Sequence, residues 1–114
     1  MKRWPKACVA VLSLLLTAEN PLDSPEIANA GQVMTGCALA HVKNMDDHIS
    51  PANVIAEGLA KVCTNEIDAY VSLATVAMNQ GPDFRAKMIR DFQGGSQFLV
   101  IVLGYRTGRI KAPQ

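Results

Sequence analysis

The sequence predicts an all-α fold: a disulfide-linked antiparallel helical hairpin with a third C-terminal helix, after a cleaved signal peptide. Three observations lead there. Apolar residues recur at spacings of three and four behind two Ser-Pro pairs, Ser24-Pro25 and Ser50-Pro51, which is the period of a helix with one buried face. Between those two stretches lies only Asp46-Asp47-His48-Ile49-Ser50, a connector of the length that joins antiparallel neighbours. A basic, then apolar, leader precedes them, and two cysteines remain once it is removed.

The leader comes first in the chain. Lys2, Arg3 and Lys6 stand before an apolar run from Ala7 to Leu16, the order of a secretory n-region and h-region. Ten to twelve apolar residues rise about 15 to 18 Å as a helix, too little for a hydrocarbon core of roughly 30 Å, so no stable membrane span is expected in the mature chain. Cleavage after Ala18 defines a signal peptide over residues 1–18. The alternative cut follows Ala30, behind Ala28-Asn29-Ala30. Ala18 is preferred because a cut after Ala30 would strip the next helix of its cap and first turn. The mature chain would then hold a single helical domain over 19–106 and a loose tail over 107–114, rich in Gly, Pro and basic residues.

Ser24-Pro25-Glu26 reads as the first helix start, since a serine oxygen caps free N–H groups and proline in the first turn sacrifices no hydrogen bond. Ile27, Ala30, Met34, Cys37 with Ala38, His41 and Met45 then fall on one face, which should be buried. Ser50-Pro51 reads the same way. Behind it the stripe Ile55, Leu59, Val62 with Cys63, Ile67, Tyr70, Ala74 and Met78 predicts one helix of close to thirty residues. Gly81-Pro82 should end it, with glycine as the left-handed cap. Asp83 is the candidate cap of the third helix, which carries Phe84, Met88, Phe92 and Leu99 on one side and is weakened by Gly94-Gly95. The run from Phe98 to Leu103 is apolar on all sides. Helix is preferred to a short strand there because no other segment offers a strand to pair with it.

Cys8 lies in the leader, which leaves Cys37 and Cys63. An even pair in a small exported domain predicts a disulfide, worth roughly 3 to 4 kcal/mol for a loop of this length in the chain-entropy model. Along ideal helices the two heights differ by about one turn, so the bond requires a tilt or a staggered connector. The alternative is copper or zinc binding through Cys37, His41 and Cys63, since His41 follows Cys37 by one helical turn; a fourth ligand would have to be His48 or solvent. Met34-Thr35-Gly36-Cys37 is also a faint lipobox, but it lies about twenty residues beyond the h-region and its use would discard the first helix.

Eleven Lys and Arg balance ten Asp and Glu. Cutting after Ala18 leaves 8 basic against 10 acidic residues, and cutting after Ala30 leaves 8 against 7, so neither mature chain offers a polyanion footprint and no nucleic-acid partner is expected. No haem-attachment, phosphate-loop, zincin or nucleophile-elbow motif occurs. Asp46-Asp47 reads as a turn whose carboxylates accept local hydrogen bonds, and Glu66 and Asp68 as helix-surface charge. The reading is therefore non-enzymatic, with no catalytic residue and no cofactor. Lipid-surface action would draw on Arg85, Lys87, Arg90, Arg106, Arg109 and Lys111.

From Cys37 onward the chain reads cysteine, seven residues, Met45-Asp46-Asp47, Ile49-Ser50, Ala52, Ile55-Ala56 and the second cysteine. This pattern resembles uncharacterised small exported α-helical proteins of proteobacteria with a two-cysteine helical hairpin. The resemblance implies export, a hairpin, a disulfide and a basic amphipathic helix afterwards, a description that Arg85 to Arg90 fits; it implies no catalytic residue. The expected role is a periplasmic or secreted interaction module. Phe98, Leu99, Ile101 and Leu103 are its candidate contact residues, and the partner is an unknown protein or a second copy in a homodimer.

Overall fold

The structure, a computed structural model, describes residues 21–113 and is all-helical over them, with no strand among the described residues. The predicted signal peptide and Cys8 lie outside the described residues. A single 3-10 turn, Pro21–Asp23, leads into α1 (Pro25–Met45). Then come α2 (Ala52–Val62), α3 (Thr64–Ala77), α4 (Pro82–Gln93) and α5 (Ser96–Arg106).

Helix α1 begins as its sequence dictates. Ser24 is extended and its hydroxyl accepts the Ile27 N–H at 3.2 Å, with Pro25 in the first turn. Ile27, Met34, Ala38 and Val42 bury its inner face, while Cys37, His41 and Met45 are half-buried along one edge. This helix lies against α2, α3 and α5. Gly31 faces Tyr70, Cys37 pairs with Cys63, and Met45 reaches Gly58, so the contacts of α1 with α2 and α3 run in opposite chain order.

The single long helix expected after Pro51 is two helices. Cys63 stands between them with φ −98° and ψ 26°, outside helical geometry, although its N–H still reaches Leu59 O and its carbonyl still accepts Ile67 N–H. The Thr64 hydroxyl donates toward Lys61 O at 2.8 Å and Ala60 O at 3.3 Å, taking up carbonyls at the end of α2. Both helices pack on α1, and Cys63 at their junction faces Cys37. Val62 and Met78, expected in the stripe, are exposed; Val71 is buried in addition to the stripe.

Three caps also differ from expectation. Ser50 does not cap α2: Pro51 occupies that place without a side-chain bond, and the Ser50 hydroxyl donates to Asp47 instead. The left-handed residue that ends α3 is Asn79 (φ 56°), not Gly81. Asn79 N–H reaches Val76 O and Gln80 N–H reaches Thr75 O, both at 3.0 Å, the paired bonds of a Schellman ending. Gly81 is extended and caps α4, which leaves Asp83 inside the first turn as a charge favourable to the helix dipole.

Gly94-Gly95 ends α4 outright instead of weakening a continuous helix. Gly95 sits at φ 83°, and a Cβ there would stand 2.6 to 2.9 Å from the backbone of Ala56 and Glu57. The start of α5 thus presses on the middle of α2, and its end, through Arg106, reaches Ser50 beside the start of α2. Phe98, Ile101 and Val102 enter the core with Leu59, Ile67, Val42, Val71 and Cys63. After Arg106, Gly108 (φ 80°) turns the chain back: Arg109 and Ile110 N–H both reach Gly104 O, and Ile110 seats on Gly104 where no side chain intervenes. The segment read as a loose tail therefore folds back beyond Arg106, and Ala112 packs against the core.

Candidate functional site

Two places gather chemically capable side chains, one around the cysteines and one around the connector. At the first, Cys37 and Cys63 lie at disulfide distance with Cα atoms 6.0 Å apart, inside the range such a bond requires. Cys63 is fully buried and Cys37 half-buried. The two Cα atoms meet in spite of the offset anticipated from ideal helices.

A carboxylate oxygen of Glu66 joins the two sulfurs, with all three atoms within 4.8 Å of one another. His41, the imidazole expected to complete this set, belongs to no such group among the described residues. Glu66 follows Cys63 by three residues, the spacing that places two side chains on one helix face, and that signal was legible. It was masked by the ordinary appearance of a glutamate in the first turn of a helix, where it favours the dipole.

At the second place, the connector is built from carboxylates. Asp46 Oδ1 accepts His48 N–H at 2.9 Å, and Asp47 Oδ1 accepts the N–H groups of Ile49 (2.9 Å) and Ser50 (2.8 Å). Asp47 Oδ2 accepts the Ser50 hydroxyl at 2.6 Å. These are the local turn bonds expected of the pair. The Ser50 hydroxyl and backbone N–H hold the Asp47 carboxyl down to about 2.

Asp46 does more than the turn requires. Its side chain is wholly shielded, and Arg106 forks onto it: Nε donates to Oδ1 (3.1 Å) and Oδ2 (3.0 Å), Nη2 to Oδ1 (2.7 Å). Nη2 also donates to Ser50 O at 2.6 Å. The Arg106 bonds hold the Asp46 carboxyl below its usual range against the opposing push of burial, and Asp46 raises the Arg106 guanidinium in turn. His48, in the left-handed region at φ 61°, has Nδ1 3.8 Å from Asp46 Oδ2 and its ring 5.9 Å from that of Tyr105. No part of the sequence pointed to this clamp, whose partners lie 60 residues apart.

Of the candidate contact residues, Phe98 and Ile101 are core residues and present no surface. Leu99 is half-buried, Leu103 is 47% exposed, and Val100, not singled out from the sequence, is 70% exposed. Of the cations considered for a lipid surface, Arg85 is committed to Asp68 and Ser72, and Arg106 to Asp46. Lys87, Arg90, Arg109 and Lys111 are exposed. Among the described residues no helix is long and apolar enough to cross a membrane. No family model, no curated protein and no solved structure matches the chain.

Proposed function

We propose that this is a small exported protein, cleaved after Ala18, that works in the periplasm or outside the cell as a non-enzymatic interaction module. Its frame is the two-cysteine hairpin of α1 against α2 and α3, with α4 and α5 packed on it. The cysteine pair supports an oxidising destination, because a staple between two helices persists where thiols are not kept reduced. A non-enzymatic role is supported by the connector, where Ser50 is engaged by Asp47 and Asp46 by Arg106, so serine, histidine and aspartate form a turn and a clamp and not a relay.

The observation that carries the interaction reading is the outer face of α5. Val100 and Leu103 stand one turn apart and are both exposed, while Phe98, Ile101 and Val102 anchor the same helix in the core. A contact face on a rigidly held helix costs little to order on binding. A second copy is the simplest occupant. Light scattering on the processed protein should give a dimer mass, and Val100→Glu with Leu103→Glu should return it to a monomer with an unchanged helical spectrum. A strict monomer whose crosslinked partners survive both substitutions would remove this reading.

A further inference from the structure

The cysteine pair offers a second chemistry that is independent of the α5 face. We propose that, once reduced, the chain binds a thiophilic divalent cation of the zinc class through Cys37 Sγ, Cys63 Sγ and the Glu66 carboxylate, so that disulfide and metal site are alternative states of one place. Three observations carry this.

The first is distance. A tetrahedral ion with sulfur at about 2.3 Å and oxygen at about 2.1 Å spaces its ligand atoms about 3.5 to 3.8 Å apart. The three donor atoms already lie within a 4.8 Å envelope, and a Cα separation of 6.0 Å lets the sulfurs part by the needed distance through side-chain rotation alone.

The second is the state of Glu66. It is half-buried, and among the described residues its carboxylate has no hydrogen-bond or ion-pair partner, unlike Asp46, Asp47 and Asp68. A carboxylate left free beside two sulfurs is a ligand without a competing commitment.

The third is access and confinement. Glu66 lines an open cleft of about 280 Å³ with Asn29, Ala30, Val33, Asn65 and Ala69, so a hydrated cation can reach its carboxylate from solvent. Cys63 is fully enclosed, so an uncompensated thiolate there is disfavoured and a cation neutralises it.

The chemistry balances with a dithiol reductant. It gives two electrons and two protons to the Cys37–Cys63 bond, leaving two thiols on the chain and a disulfide on the reductant. The cation then displaces both thiol protons, and water takes the fourth position beside Glu66.

The test is anaerobic titration of the phosphine-reduced protein with Co²⁺, read by its thiolate and d–d absorption, followed by competition with Zn²⁺. One equivalent should bind with a tetrahedral spectrum, the oxidised protein should take none, and Glu66→Gln should weaken binding at least about tenfold, the loss that even an outer-shell partner causes. His41→Gln should leave affinity unchanged. Uptake that is absent, that persists in the oxidised protein, that is equal in Glu66→Gln, or that depends on His41 would overturn the proposal. A reduced chain that unfolds and binds through its sulfurs alone falls in the third of these outcomes.

Discussion

Gly95 and Gly108 both sit at positive φ, yet they answer different demands. At Gly108 a Cβ would meet nothing within 4 Å, so Gly108→Ala should cost about 1 kcal/mol, the left-handed penalty alone. At Gly95 the same Cβ would strike the Ala56 and Glu57 backbone, which cannot move without separating α5 from α2. Gly95→Ala should cost about 3 kcal/mol or more by chemical denaturation. Gly58→Ala should be mild, because the atom it meets is the flexible end of Met45. The Asp46–Arg106 clamp makes a different prediction. A carboxyl held below its usual value in the folded state stabilises fully above the unfolded value near 4 and loses that contribution as pH falls through the lower folded value. Thermal stability should therefore drop as pH falls below about 4. Arg106→Gln should lower Tm at pH 7 by roughly 10 to 20 °C, because Asp46 stays buried and unpaired. The gap to the native protein should narrow on acidification. A gap that is constant from pH 7 to pH 3 would show that Arg106 does not act through Asp46.

Helix starts divide in the same manner. Ser24→Ala removes a cap bond and should cost about 1 kcal/mol. Ser50→Ala removes none from α2; its signature is instead a rise of the Asp47 carboxyl from about 2, read by NMR titration. The two Ser-Pro pairs look alike in sequence, and only the carboxylate three residues before Ser50 distinguishes them. Apolar spacing located the helical stretches up to Gln93, the last helix was read as helix because no strand partner exists for it, and Gly94-Gly95 was visible as a weak point, because periodicity and glycine chemistry are local. The break at Cys63 was not visible: Leu59, Cys63 and Ile67 keep the helical interval straight through it. Both halves pack on α1, and a break at a site of tertiary packing leaves no mark in a single segment. For the same reason the spacing of Cys63 and Glu66 was readable while the pairing of Asp46 with Arg106 was not.

Taken together, α1 is a rod gripped along two successive helices, and α5 closes the assembly by packing Phe98, Ile101 and Val102 into the core from the side of α1 and α2. The apolar run that looked like spare surface is thus largely spent on the core, and what remains outside is Val100 and Leu103. A domain of this size gains only a few kcal/mol from such a core, so the covalent tie between α1 and the junction of α2 and α3 is comparable to everything else that holds it. A loop closed across 26 positions contributes about 3 kcal/mol in the chain-entropy model. The decisive measurement is the melting curve of the protein, prepared from Glu19 onward, with and without a phosphine reductant, paired with intact mass under each condition. A staple between α1 and Cys63 predicts a mass two hydrogens lower before reduction and a Tm lower by roughly 10 to 20 °C after it. Two freely alkylated thiols in the protein as isolated, with a melting curve unmoved by the reductant, would contradict it.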